Sequence, residues 1–391
     1  MSLFFVKIAN LFNYLILSTI LKIINTEHVV KKKNTLLVIR LDAIGDYILF
    51  RNFLQVIRGS DTYAQYSITL CGNSAWKDIA ETFDLDSVEE YIWLDRKKFY
   101  RDIQYKYRLL KEIHRRGFDT VIESTYSREI LYGDAIVAAA DSRIRIGHTG
   151  SQESHAVWKR RIVTDTLYTQ LITLDDPNMF EFESNKVFFS AVLGTVVNIE
   201  RPSIKVGESS DRRLGEKKFI VLFPGTNEKS RMWPSSHFRE IADYVYAEST
   251  YDVVLSGSTR ENYLFSEIVK HTDERFKNYF GITLPDLVRL IAKAALVISN
   301  DTSAVHFATA VNTPFICISN GSYFGRFNPY PKGMFDKGHY IYPRSIMEQL
   351  HDPELLKTKY RFGSDINIAD VTPREVKELI HSVLPLQSAI K

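Results

Sequence analysis

Cysteine is nearly absent from this chain. Of 391 residues only Cys71 and Cys317 carry a thiol, and each sits at the end of an apolar run. That excludes a disulfide framework and points to small core residues in a reduced compartment. No CxxC and no His/Cys cluster is present, so a structural zinc site is not indicated. Neither a Walker loop nor a GxGxxG loop occurs, which removes the two commonest phosphate-binding signatures. The formal net charge is only +3, so the chain lacks the overall basicity of a nucleic-acid binder. No run of about 20 uninterrupted apolar residues exists to span a membrane. A signal peptide is poorly supported, because Lys22 interrupts the first apolar stretch and no small-residue cleavage site follows it. No internal repeat is visible beyond two halves of similar architecture.

What is present is the composition of a soluble globular protein, 45% hydrophobic and 25% charged. The length suits two domains. Residues 3–24 are rich in Leu, Ile and Phe, with Lys7, Asn10, Asn13, Ser18, Lys22 and Asn25 recurring along one stripe. They read as an amphipathic helix with a broad apolar face. Lys31, Lys32 and Lys33 follow, each worth on the order of 1 kcal/mol near an anionic leaflet. A helix lying in the cytoplasmic membrane interface fits this pattern. Packing of the helix on its own domain or on a partner subunit is the alternative.

Strands and helices then alternate. Strands are expected at 36–41, 66–71, 88–94, 120–123 and 143–146, with helices at 47–57, 74–83, 100–116 and 128–140. This is a doubly wound α/β pattern. Residues 150–215 are less regular, and a linker is expected near 195–215. A second α/β unit has strands at 219–223, 252–255, 296–299 and 315–318, and helices at 236–248, 261–271, 284–294 and 303–311. Residues 320–371 resist assignment. A last helix, 373–384, starts at Thr372-Pro373.

Three strand-to-helix corners carry candidate chemistry. At the first, Gly45 permits an unusual backbone angle and Asp46 opens a helix. An ionised Asp there either caps the helix or takes a proton from a hydroxyl nucleophile. At the second, Phe223-Pro-Gly-Thr-Asn-Glu-Lys-Ser-Arg-Met-Trp-Pro234 offers hydroxyls, amides and two cations, which suit a diphosphate. At the third, Leu255-Ser-Gly-Ser-Thr-Arg-Glu261 places an acid at a helix start, fit for a ribose diol or for the helix dipole. The stretch ALVISNDTSAVHFATAVNTPF, ending at Phe315, adds a buried strand, an Asn300-Asp301-Thr302-Ser303 corner and a helix. A helix N-terminus there suits phosphate. Asp301 would repel phosphate, so it either caps the helix or grips a sugar hydroxyl.

In this order and spacing, LLVIRLDAIGDYILFRNFLQVIR, FPGTNEKSRMWPSSHF and ISNDTSAVHFATAVNTP resemble glycosyltransferase family 9, the bacterial lipopolysaccharide heptosyltransferases. The resemblance covers roughly residues 35–320. It implies a GT-B fold, two Rossmann-like domains facing a cleft, here with an extra N-terminal amphipathic helix. The expected division is 1–34 for that helix and a basic linker, 35–205 for an acceptor-binding domain, and 206–391 for a nucleotide-sugar-binding domain whose last helix packs back. It also implies inverting transfer from a nucleotide sugar, typically ADP-heptose, with no metal and no cofactor.

Carried over by position, Asp46 matches the catalytic base and Thr226 a phosphate contact, with Asn227 beside it. Arg231 stands where the family usually has lysine, and Lys229 is a substitute. Glu261 matches the ribose-binding acid and Asp301 the donor-sugar acid. Thr302 and Ser303 would supply amides to the diphosphate, and His306 would brace the corner. Ser303 replaces a glycine common in the family. Among the basic residues between Arg96 and Arg145, Arg101, Arg143 and Arg145 are the expected contacts to an anionic glycolipid or glycan. The protein is then expected on the inner face of the bacterial inner membrane, with no nucleic-acid partner. A transferase using another nucleotide sugar for capsule or O-antigen, a UDP-sugar epimerase and a non-catalytic scaffold remain alternatives. Asp84-Leu85-Asp86 has the letters of a metal-binding Asp-x-Asp motif but lies at an expected helix end.

Overall fold

The computed structural model describes residues 3–150, 162–207, 217–270 and 273–384. Two compact units emerge. The first comprises residues 1–177 and 183–198, the second 178–182 and 199–391. The expected linker lies from residue 208 onward outside the described residues, as does the expected helix end at His271.

The first unit holds a six-stranded sheet in the order β3-β2-β1-β4-β5-β6. Its strands are β1 (Lys32–Arg40), β2 (Ser67–Asn73), β3 (Glu90–Leu94), β4 (Phe118–Glu123), β5 (Ile144–His148) and β6 (Gln170–Ile172). All pairings are parallel. Leu36, Leu37, Val38 and Ile39 are fully buried, as expected of a strand covered on both faces. The order reverses between β1 and β4, so the crevice for a ligand lies beyond their carboxyl ends.

Two of the expected helices differ locally in the structure. The helix expected over 100–116 is two helices, Arg96–Arg101 and Ile103–Arg116. Asp102 ends the first and caps the second, accepting from the Tyr105 N–H. Gly117 closes the second in the left-handed region (φ 67°), where a Cβ would lie 2.6 Å from the Val30 carbonyl oxygen. The helix expected from 128 begins only at Gly133; buried Arg128 lies before it and pairs with Asp134 and Asp165.

The Leu3–Ile24 helix belongs to this unit. Leu17, Ile20 and Ile24 are buried in the same core as Leu109, Leu110, Ile113 and Ala139. Among the described residues, no helix is long and apolar enough to cross a membrane.

The second unit repeats the plan with β12-β11-β10-β7-β8-β9. Its strands are β7 (Phe219–Phe223), β8 (Asp252–Gly257), β9 (Phe276–Phe280), β10 (Leu296–Asn300), β11 (Phe315–Ile318) and β12 (Gly338–Ile341). Here the order reverses between β7 and β10. The last helix, Pro373–Val383, packs on the Ser235–Glu248 helix of its own unit, joining Val376 and Ile380 to Phe238, Ile241 and Val245.

Candidate active site

Each unit carries candidate site residues at the carboxyl edge of its sheet. In the first, β1 runs out into Leu41-Asp42-Ala43. The helix that follows starts at Ile44, so Gly45 is helical rather than a left-handed turn, and Asp46 lies half-buried in the first turn. A carboxylate is favoured there by the helix dipole.

The loop before it is tied down from two sides. The Asn73 amide donates to the carbonyls of Leu41 and Asp42, and the Trp76 indole N–H donates to the Asp42 carbonyl. Arg40, fully buried, pairs with the Asp42 carboxylate at 2.9 Å and donates to Asn185 and to the Ser124 carbonyl. Tyr47 next to Asp46 stacks on Trp76 at 3.8 Å and donates to Asp84 at 2.6 Å. Asp84 also pairs with Arg51 at 2.7 Å. Burial raises the Asp84 carboxyl, against the pull of Arg51. The Asp84-Leu85-Asp86 motif therefore anchors the helix that carries Asp46.

Glu123 closes β4 at the same edge, 1% exposed. Burial raises its carboxyl to about 8, opposed by a hydrogen bond from Thr125 and reinforced by Asp134 and Asp42. The folded protein thus keeps a proton that the unfolded chain gives up near 4.5. Stability falls as pH rises through that window, by at most about 1.4 kcal/mol per pH unit. Glu123→Gln is expected to unfold at clearly higher temperature than wild type at pH 8 and at nearly the same temperature at pH 5. A gap that does not depend on pH would contradict this.

The three expected acceptor arginines are not brought together. Arg101 is exposed in the last turn of its helix. Arg143 precedes β5 and pairs with Asp119 at 3.1 Å. Arg145, early in β5, donates to the carbonyls of Leu167 and Ser142. Both lie toward the amino end of the strand, away from the edge that bears Asp46, and their guanidinium groups hold local structure.

In the second unit the loops after β7, β8, β10 and β11 converge. Asn300, fully buried at the end of β10, joins two of them. Its amide oxygen accepts from the Trp233 N–H at 3.1 Å, and its amide nitrogen donates to the Pro224 carbonyl at 2.6 Å. Arg231 donates to the Asp301 backbone carbonyl and lies 3.5 Å from the Asp301 carboxylate. That carboxylate, 5% exposed, also accepts from Asn328 at 2.6 Å and from Ser319 at 3.2 Å. Asp301 is thus a buried hub that fixes Arg231 and the loop after β11. Thr302 caps the Ser303–Ala310 helix, accepting from the Ala304 N–H, and its hydroxyl meets that of Ser299 at 3.1 Å. His306 is buried against the Tyr330 hydroxyl at 2.9 Å. Burial, with the Arg231 charge, lowers its imidazole to about 3, so it braces the corner as a neutral ring.

Thr226 is half-buried, while Asn227 and Lys229 are exposed on the same loop. Glu261 forms a capping box with Ser258, accepting from its N–H at 2.8 Å and its hydroxyl at 2.7 Å. Its carboxyl group lies directly over Gly225, where an added Cβ would meet it at 2.2 Å. Gly225→Ala must therefore swing Glu261 aside. A small loss of stability is expected, about 1 kcal/mol for the broken cap. Nucleotide affinity is expected to fall about tenfold, or 1.4 kcal/mol, in a calorimetric titration. Unchanged affinity would contradict the expected ribose role of Glu261.

Two side chains of this corner, Asn320 and Asn328, lie outside the sequence motifs. Asn320 ends the other arm of the site, donating to the carbonyls of Ser230 and Ser364. A signal for it existed: Ile298-Ser299-Asn300 recurs as Ile318-Ser319-Asn320 at the ends of neighbouring strands. Asn328 lies in a segment without periodicity and gave no signal.

Residues 106–335 match the family described as Glycosyltransferase family 9 (heptosyltransferase). The chain belongs to glycosyltransferase family 9. Lipooligosaccharide heptosyltransferase 2 of Haemophilus influenzae is 28% identical over 192 residues, 46% of this chain and 52% of that one. Lipopolysaccharide heptosyltransferase 2 of Salmonella typhimurium is 26% identical over 197 residues, 47% and 53% of the two chains. The chain spans about half the length of these curated relatives. Among solved structures, a family 9 glycosyl transferase from Veillonella parvula superposes with a TM-score of 0.69 at 17% identity, covering 92% of this chain and 99% of that one. The Escherichia coli ADP-heptose lps heptosyltransferase II does so with a TM-score of 0.65 at 19% identity, covering 90% and 98%. The family 9 chain thus has the GT-B fold of these proteins, a pair of parallel Rossmann-like sheets.

Proposed function

We propose that this family 9 protein is an inverting glycosyltransferase. It moves a sugar, heptose from ADP-heptose, onto a lipopolysaccharide-core or related surface-glycan acceptor. The observation that carries the donor half is Arg231, held against Asp301 at the start of the Ser303–Ala310 helix, beside the β7–β10 reversal of the sheet. A guanidinium, the nearby Lys229 and free helix N–H groups are what a nucleoside diphosphate binds. Glu261 over Gly225 receives the ribose diol.

The acceptor half rests on Asp46. Its carboxylate takes the proton of an acceptor hydroxyl while that oxygen bonds to the anomeric carbon of the donor. The carbon–oxygen bond to the diphosphate breaks, and its electron pair leaves with the nucleotide. Attack opposite the leaving group inverts the anomeric centre. Arg231, Lys229 and the helix N-terminus stabilise the charge that develops on the diphosphate, in place of a metal. The protein works peripherally on the inner face of the bacterial inner membrane, where a glycolipid acceptor is presented.

The test is ADP release from ADP-heptose, with and without purified lipopolysaccharide core. Acceptor-dependent release with an inverted product linkage is expected. Free sugar formed without acceptor would favour an epimerase, and nucleotide binding without turnover would favour a scaffold.

A further inference from the structure

The Leu3–Ile24 helix presents apolar residues to two different surroundings. Positions 17, 20 and 24 enter the core of the first unit. On the same inner side Asn13 accepts from the Lys106 ammonium at 3.0 Å, and Asn10 accepts from the Tyr100 hydroxyl at 2.8 Å. The outer side is apolar as well. Ile8, Leu11, Phe12 and Leu15 are 49%, 60%, 62% and 55% exposed, and Ile23 is 54% exposed. At about 100° per residue these five positions, with Thr19 and Lys22, fall within a band about 120° wide, opposite the buried side. An ordinary surface helix of a soluble protein turns polar residues to that side. A contiguous exposed ridge of large apolar residues marks a contact surface.

The charge around the ridge says what it contacts. The helix itself contains lysines and no acidic residue. The two helices that bond to Asn10 and Asn13 span residues 96–116 and hold nine basic residues, of which Arg96, Lys111, Arg115 and Arg116 pair with Glu129, Glu27, Glu90 and Glu112. Lys97, Lys98, Arg101 and Arg108 among them are exposed, as is Ile103. A second copy seated on the ridge would bring two such basic surfaces together and be repelled. An anionic lipid surface would accept both the ridge and its surroundings.

We propose that the outer face of the N-terminal helix is a docking surface for an anionic bilayer, with Ile8, Leu11, Phe12 and Leu15 entering the headgroup–acyl boundary. The inner face makes this helix part of the folded unit, so the acceptor-binding half of the protein is held at a fixed depth and orientation on the membrane. The arrangement stands independently of the donor chemistry.

The test uses the full chain and vesicles of phosphatidylethanolamine with phosphatidylglycerol, or of phosphatidylcholine alone. Wild type is expected to sediment with the anionic vesicles and much less with phosphatidylcholine. Phe12→Asp with Leu15→Asp should weaken that binding more than about tenfold, because two large apolar side chains leave the contact. The double variant should unfold at the wild-type temperature, since neither side chain is in the core. Wild type that stays in the supernatant, binds phosphatidylcholine equally well, or sediments no better than the double variant would overturn the proposal. So would a wild-type dimer that the double substitution converts to monomer while neither form binds vesicles, since a second copy would then cover the ridge.

Discussion

Asp46→Asn is expected to bind ADP as tightly as the wild type and to turn over roughly 10²–10⁴-fold more slowly. Asparagine matches aspartate in shape but cannot take a proton at neutral pH. The helix that carries it is also anchored by contacts that the substitution leaves untouched. It is fixed through Tyr47 stacked on Trp76 and through the Tyr47–Asp84–Arg51 bonds. The loop before it is fixed by Asn73, Trp76 and Arg40. The change therefore removes chemistry while leaving position intact. Nearly wild-type turnover would mean that the proton goes elsewhere. Loss of ADP binding together with turnover would mean that Asp46 holds the donor.

Asn300→Ala is expected to destabilise the second unit by about 2–5 kcal/mol. Asn300 is fully buried, and its two bonds join β10 to the loop after β7. Alanine leaves the Trp233 N–H and the Pro224 carbonyl without partners in a dry environment, at about 1–3 kcal/mol each. Calorimetry should show the loss as a fall of several degrees in unfolding temperature. Nucleotide binding should weaken as well, because the same two bonds set where Gly225 and Arg231 stand. Asn300→Asp makes the contrast informative. It keeps an acceptor for the Trp233 N–H but sets an oxygen against the Pro224 carbonyl, so it should not restore stability. A stable Asn300→Ala protein with normal nucleotide binding would show that the loop is held by other contacts.

Much of the architecture was legible because strands buried on both faces read as short, unbroken apolar runs. Phe219–Phe223 and Phe315–Ile318 were placed at their observed limits. The strands that were missed are ones whose sequences break the run. Gln170–Ile172 is three residues long, Phe276–Phe280 carries Lys277 and Asn278, and Gly338–Ile341 opens with Gly338 and His339. Their places follow from neighbours in the sheet, which local sequence does not encode.

At the site, residue types were legible and partners were not. The sequence gives no indication that the Asp301 side chain turns inward to Asn328 and Ser319, or that Glu261 lies over Gly225. Arg143 and Arg145 stand out in the sequence for their charge. Their geometry follows from strand direction and from distant partners, Asp119 for Arg143 and the Leu167 carbonyl for Arg145, each more than twenty positions away. The N-terminal helix was readable as broadly apolar, but the division of that face between core and surface depends on the helix of residues 103–116 beneath it.

The most direct test of the account is thermal unfolding with ADP, UDP, GDP and CMP, with and without magnesium, on wild type, Asp46→Asn and Gly225→Ala. A ligand at 100 times its Kd adds about 2.7 kcal/mol of stability. The account predicts selective stabilisation by ADP, independent of magnesium, equal in wild type and Asp46→Asn and reduced in Gly225→Ala. Selectivity for UDP or GDP would reassign the donor while leaving the site in place. No stabilisation of the wild type by any nucleotide would contradict the proposal that the second unit binds a nucleotide sugar.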